Sequence, residues 1–318
     1  MFSLAPTERY QMNRYTAWCA PVAAAGLILA GCSSGNSAST DATTTADATT
    51  TSAAAAVPAE VLDKAAADYQ AYVASNIDEL QRVVKVFTDA VRAGDLQAAQ
   101  DAYAPSRVPW ERIEPIAGLV EDIDRKIDAR VDDFAGADDP EFTGWHRLEY
   151  ILFEQNTTEG AAPFADQLDS DVAALKEQFP SVEVKPVDVA NGAAELIEEV
   201  SEGKITGEED RYSKTDLWDF DANLQGARDA VGKLNPALVQ ADPALLGKID
   251  AGINSVFDTM RPLRRGDGWV LFCTENDPYP SPRCTGVTVD PPTIDKLKAE
   301  LAGLSENMSQ VAGVLKLK

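Results

Sequence analysis

The chain has 318 residues and is strongly acidic, with 52 Asp and Glu against 28 Lys and Arg and a formal charge of −24. Such a charge excludes nucleic acid and anionic surfaces as natural partners and favours cations. The length suffices for one large domain or two small ones, and the single histidine limits any catalytic or ligand set built on imidazole.

Arg9 and Arg14 precede a short apolar stretch that ends in Leu29-Ala30-Gly31-Cys32. A basic segment, an apolar core and small residues before a cysteine are similar to a bacterial lipoprotein signal. Residues 1–32 are therefore expected to be a signal peptide, with Cys32 acylated (palmitate) and the protein anchored on the extracytoplasmic face of the cell membrane. An ordinary cleaved signal peptide or a membrane anchor is the competing reading, but the apolar stretch is short for a span. Residues 33–57 are almost all Ser, Thr, Ala, Asp and Gly, which offers too little apolar surface to offset the entropy of ordering. They read as a disordered tether.

From Ala59 apolar residues recur at helical spacing through Leu62, Tyr69, Val73, Ile77, Leu80, Val84, Phe87 and Val91, the signature of a long amphipathic helix. Gly94 breaks the pattern and Asp95 is placed to cap a second helix, which Pro105 interrupts. A stretch rich in acids follows, read as helical through Asp128, Asp132 and Asp133, until Gly136 and Pro140 close it. Thr143 is then expected to cap the helix carrying His146 and Glu149, whose N-terminus would favour anionic partners and a neutral imidazole. Prolines start further helices at Pro163, Pro186, Pro243 and Pro292, and another runs from Asp216 to Leu234. Only Val182 to Val187 and Val287 to Val289 are weak strand candidates. The body is thus expected to be all-α, divided into a first bundle at 58–195 and a second at 196–318. In an oxidising compartment Cys273 and Cys284 are expected to pair across the Pro-rich segment between them.

On a helix, residues three apart lie about 5–6 Å from one another on one face. His146 and Glu149 can therefore converge on one ion, Glu111 and Glu114 can supply a facing pair, and Asp128 with Asp132 a third acidic edge. One imidazole with several carboxylates suits iron, manganese or zinc, and helix bundles build such sites from inward Glu and His. The same acids would equally make the solvated face of an acidic helix, and a lone His-x-x-Glu arises readily by chance.

Several ordered segments add to this. Tyr103 to Arg107, Trp110 to Ala117, Ile127 to Asp133, Phe142 to Tyr150 and Lys204 to Phe220 together resemble the imelysin-like domain family of EfeO- and EfeM-type iron-uptake lipoproteins. The resemblance implies two related four-helix bundles, a metal site around Gly144, His146 and Glu149, and work with a membrane iron permease and a haem peroxidase. Glu111, Glu114, Asp128 and Asp132 match neighbouring acidic segments of the family. Glu209, Asp216 and Asp219 are secondary candidates, because this chain carries Lys214 where the family often carries a histidine. The implied function is capture of iron, as Fe2+ or Fe3+, with zinc or another divalent cation as alternative ligands. Two other functions compete: a metallopeptidase, disfavoured because zinc peptidases typically use two histidines, and a structural surface lipoprotein that binds no ion.

Overall fold

The computed structural model describes residues 57–318. The signal segment, Cys32 and all of the tether but Val57 lie outside the described residues. Nine α-helices account for most of what is described, so the all-α class expected from the sequence is the one observed.

The amphipathic run forms α1 (Ala59–Arg92), which buries Tyr69, Val73, Ile77, Leu80, Val84, Phe87 and Val91 on one face. Each such side chain removed from water contributes roughly 1.5–3 kcal/mol before the entropy of ordering is counted. Asp95 caps α2 (Leu96–Ile113) by accepting from the Ala98 amide at 3.0 Å. Contrary to expectation, α2 does not stop at Pro105; it continues through both Pro105 and Pro109. Proline removes a backbone donor, but the carbonyl freed by Pro105 belongs to Asp101, which is exposed, while Tyr103, Arg107 and Trp110 on either side are fully buried. Tertiary packing outweighs the lost bond.

A 3-10 turn, Glu114–Val120, leads into α3 (Glu121–Ile127), which ends at Asp128. The acidic stretch is therefore not one helix: Asp128 has left helical backbone at φ −131° and ψ −6°, and Asp132 sits in a separate 3-10 turn, Val131–Asp133. The short α4 (Gly144–Glu149) continues as a π-helical turn, Tyr150–Glu154. Then come α5 (Ala162–Gln178), α6 (Pro186–Glu202), α7 (Asp216–Ala241), α8 (Pro243–Met260) and α9 (Pro291–Leu315). Neither valine-rich stretch is a strand; the sheet among the described residues is a two-residue hairpin, Arg264–Arg265 (β1) with Gly268–Trp269 (β2).

Helix α1 packs on both α2 and α5, α6 packs on α7 and α9, and α8 on α7 and α9. Long α7 also lies against α1 and α2, which joins the two halves of the body. The close approach of α2 and α7 depends on Gly226, where a Cβ would stand 2.2 Å from the Arg112 carbonyl oxygen. The boundary expected at 195/196 falls inside α6. Cys273 and Cys284 form the expected disulfide, with their Cα atoms 5.5 Å apart. No described helix is long and apolar enough to cross a membrane.

Candidate metal centre

Gly144 fixes where α4 begins. Its φ is +78° and a Cβ there would lie 2.2 Å from the Ile127 carbonyl oxygen, so only glycine lets α4 start against the end of α3. Thr143 stands at the N-cap, yet its hydroxyl donates to the Lys126 carbonyl at 2.8 Å instead of capping α4. The expected cap is replaced by a tie between α3 and α4. That tie brings Asp128, at the end of α3, beside His146.

The centre of the cluster is Arg107, a residue the sequence reading had not singled out as a site residue. Its guanidinium is fully buried and donates to Asp128 Oδ1 at 2.6 Å, Glu111 Oε1 at 2.5 Å, Glu209 Oε1 at 3.2 Å and Asp219 Oδ2 at 3.2 Å, with Asp210 Oδ1 at 3.7 Å. It also lies over the Trp145 ring. A guanidinium has its donors in a rigid planar fork and never loses its charge, which suits it to hold several carboxylates at once. Helices α2, α4 and α7, the end of α3 and the loop before α7 each contribute a side chain.

His146 is buried against this group. Its Nε2 is 3.4 Å from Arg107 Nη1 and 3.6 Å from both Asp128 Oδ1 and Glu209 Oε1, while Nδ1 is 3.2 Å from Glu149 Oε2. The other Glu149 oxygen accepts from the Tyr212 and Ser213 amides at 2.9 and 2.7 Å. Burial and Arg107 lower the imidazole pKa, but the neighbouring carboxylates of Asp128, Glu149 and Glu209 outweigh them and raise it well above its ordinary value. Anionic partners were expected at this helix start and are present; the expected neutral imidazole is corrected, because three carboxylates dominate a helix terminus only six residues long.

On the far side Lys204, also buried, donates to Glu111 Oε2 at 3.1 Å and to both Glu114 oxygens at 2.9 Å. Asn223 donates to Glu111 Oε2 and Glu114 Oε2 at 2.9 and 2.8 Å. Arg130 closes the outer edge, donating to Glu209 Oε2 at 2.6 Å and pairing with Glu208 at 3.3 Å. Asp210 accepts from the Tyr103 hydroxyl at 2.9 Å and from Thr215.

These surroundings push the acids apart in proton affinity. Burial would raise Asp128, but Arg107 and the neighbouring His146 hold it well below the carboxylate range. Burial would likewise raise Glu209, but Lys204 and Arg130 outweigh it and hold this carboxyl well below its ordinary value. Asp210 goes the other way: burial and the Glu149 charge outweigh Arg107 and push it up to about 6. Asp219 and Asp216 are raised well above the usual value, first by burial and then by Asp210.

Acids outnumber bases here. Glu111, Glu114, Asp128, Glu149, Glu209, Asp210, Asp216 and Asp219 face Arg107, Lys204 and His146, with Arg130 and Lys214 at the edges. Asp219 Oδ1, Asp216 Oδ2 and Asn223 Oδ1 are buried acceptors on one face of α7 that meet no donor among the described residues. Three sets of side chains bring ligand atoms within 4.8 Å of one another: Asp128, His146 and Glu209; His146, Glu149 and Asp210; and Glu111, Glu209 and Asp219. A surplus of buried carboxyl groups over bases, with spare oxygen acceptors and protons that an ion can displace, is an arrangement a hard cation fits.

Of the candidates named from sequence, the structure brings His146, Glu149, Glu111, Asp128, Glu209 and Asp219 together. Glu114 stands at the edge on Lys204, and Asp216 accepts from the Asp210 amide at 3.2 Å. Asp132 is elsewhere: its side chain is 66% exposed and pairs with Arg211, because the chain turns between Asp128 and Asp132 and the two never share a helix face. Arg107, Lys204 and Asp210 were missed as site residues. Arg107 had a signal, lying at i+4 from Tyr103 and i−4 from Glu111 on the buried stripe of α2; Lys204 opens a single 3-10 turn, Lys204–Thr206, and Asp210 lies between it and α7, with no periodicity to betray either.

Comparison with known proteins bears on this site. Proteins from Yersinia pseudotuberculosis and Yersinia pestis, each named iron uptake system component EfeO, are 45% identical over 254 residues, 79% of this chain. The protein of the same name from Escherichia coli O157:H7 is 44% identical over 257 residues, 80% of this chain. The aligned segment spans 64%, 63% and 65% of those relatives, under two thirds of their own length. The imelysin family model (Peptidase_M75) matches residues 65–279, a stretch that includes every side chain of the cluster around Arg107 and His146. The chain belongs to the imelysin family.

Proposed function

We propose that this protein is the iron-binding component of an iron uptake system, taking iron as its cargo in the buried centre around His146. The observation that carries the reading is the excess of buried carboxyl groups over buried bases in that centre, with unpartnered oxygens on α7. The EfeO name of the relatives supports iron as the ion. Carboxylate oxygens with one imidazole suit Fe2+ and Fe3+, and would also accept zinc or another divalent cation.

The hydrogen bonds assign roles. Glu149 is engaged on both oxygens, by two backbone amides and by His146 Nδ1, as in the carboxylate–histidine pairs that orient metal ligands. That leaves Nε2, with Asp128 and Glu209 each 3.6 Å from it, as the side that faces the ion. Arg107 stands on that side and neutralises the acids while no ion is bound; an incoming cation takes over its charge. In the same reading the protein is lipid-anchored through Cys32 on the extracytoplasmic face of the cell membrane. It passes iron to a membrane permease in a system that includes a haem peroxidase.

The family model's name is that of a peptidase. We favour a non-enzymatic component, since the chain has a single histidine where zinc peptidases typically have two. The test is an anaerobic Fe2+ titration by calorimetry, comparing the protein with a His146→Ala, Glu149→Ala double variant. Loss of iron binding in the folded variant supports the proposal, and equal affinity sinks it.

A further inference from the structure

The disulfide loop lies against the segment that holds Glu149, and its contacts fall on three consecutive carbonyls. Ser281 Oγ donates to the Tyr212 carbonyl at 3.2 Å, an Arg283 guanidinium nitrogen donates to the Ser213 carbonyl, and the Phe272 amide donates to the Lys214 carbonyl at 2.8 Å. Phe272 precedes Cys273 and Arg283 precedes Cys284, so the disulfide ties the two ends of this grip together. Lys214 has φ +60°, a left-handed backbone that a lysine rarely adopts. Its ammonium also pairs with Asp277 of the loop at 2.7 Å.

The grip reaches the metal centre in two steps. The Tyr212 carbonyl and the Ser213 amide belong to one peptide unit, so the group that Ser281 holds by its oxygen is the group that donates to Glu149 Oε1. Glu149 in turn bonds His146 Nδ1. Arg283 makes a second connection, its guanidinium lying 4.6 Å from the centre of the Phe153 ring, in the π-helical turn that continues α4. Loop, peptide, carboxylate and imidazole thus form one continuous chain of contacts.

We propose that Arg283 and Ser281, carried on the Cys273–Cys284 loop, are positioning residues that set Glu149 and through it the orientation of His146 toward iron. This rests on the iron-binding reading above, but its test does not. The chain has one histidine, so protein labelled with 15N-histidine and purified without a histidine tag gives one pair of ring-nitrogen resonances.

Arg283→Ala and Ser281→Ala are compared with the unaltered protein at one pH, alongside Glu149→Gln, and melting temperature and Fe2+ affinity are recorded for each. The expected result is that both loop variants move the ring-nitrogen resonances in the direction seen for Glu149→Gln. Iron affinity should fall about tenfold, the lower end of what loss of a ligand's supporting contact costs. Resonances that superimpose on those of the unaltered protein overturn the proposal, even if the melting temperature falls, because a merely structural loop would do no more than that. Should Arg283→Ala fail to fold, Ser281→Ala, which removes one hydroxyl from a half-buried position, decides alone. If the unaltered protein binds no iron, the proposed function fails while the resonances still decide the loop's role.

Discussion

Replacing Arg107 by methionine keeps much of the side chain's bulk and removes its charge. In the ion-free protein five carboxylates lose the cation they share: Glu111, Asp128, Glu209, Asp210 and Asp219. Breaking a buried ion pair by removing one partner costs about 3–5 kcal/mol, because the remaining charge stays buried and uncompensated. At roughly 2–4 °C per kcal/mol for a body of this size, the melting temperature should drop by roughly 6–20 °C. The acids would recover part of that by taking up protons, so the deficit should shrink as the pH is lowered from 7 toward 4. Iron should recover it too, since a ligand bound only by the folded state raises stability in proportion to the logarithm of its concentration over its dissociation constant. The assay is thermal unfolding followed by circular dichroism, with and without Fe2+, at several pH values. An unchanged melting temperature, or an iron-induced rise no larger than in the unaltered protein, would refute the view that Arg107 stands in for a cation.

Further outcomes follow from the same geometry. Gly144→Ala forces a left-handed φ on alanine and a Cβ 2.2 Å from the Ile127 oxygen; it should cost more than about 2 kcal/mol in denaturant unfolding and weaken iron binding by shifting α4. Asp132→Asn should leave iron affinity unchanged in the same titration and cost no more than about 1 kcal/mol, the worth of a largely exposed pair with Arg211. Protons should compete with iron, because His146 is raised well above its ordinary value and Asp210 sits at about 6. Binding should strengthen as the pH rises from 5 to 7, with proton release measured by calorimetry in buffers of different ionisation enthalpy. For stability of the ion-free protein the sign is opposite: the proton on Asp210 contributes fully below the unfolded value of 3.8 and its contribution is lost as pH rises through about 6. Asp210→Asn should lack that decline in melting temperature between pH 4 and 6.

Much of the fold is legible because most of the helices bear strong local signals. The apolar stripe from Tyr69 to Val91 could hardly be anything else, and Asp95 caps as its position suggests. Pro105 misleads because the tertiary environment, invisible locally, repays a broken helix bond. The candidate site is legible in its ligand types but not in its centre. His146 and Glu149 share a helix, so spacing alone brings them together, whereas Asp128 and Asp132 were read as a helical pair and a turn of chain separates them. Lys204 escapes notice for a different reason: a buried base in an acid cluster, with no helical stripe to place it, looks in sequence like any solvated charge. Only the packing of α2 and the end of α3 against the loop before α7 shows which charges are taken out of water.

The most direct measurement is anomalous diffraction at the iron edge from crystals grown with iron. The account predicts a peak bonded to His146 Nε2 and to oxygens of Asp128 and Glu209, with the Arg107 guanidinium displaced from its place beside them. Iron confined to surface acids such as Asp132, or Arg107 unmoved with no peak among the buried carboxylates, would contradict it.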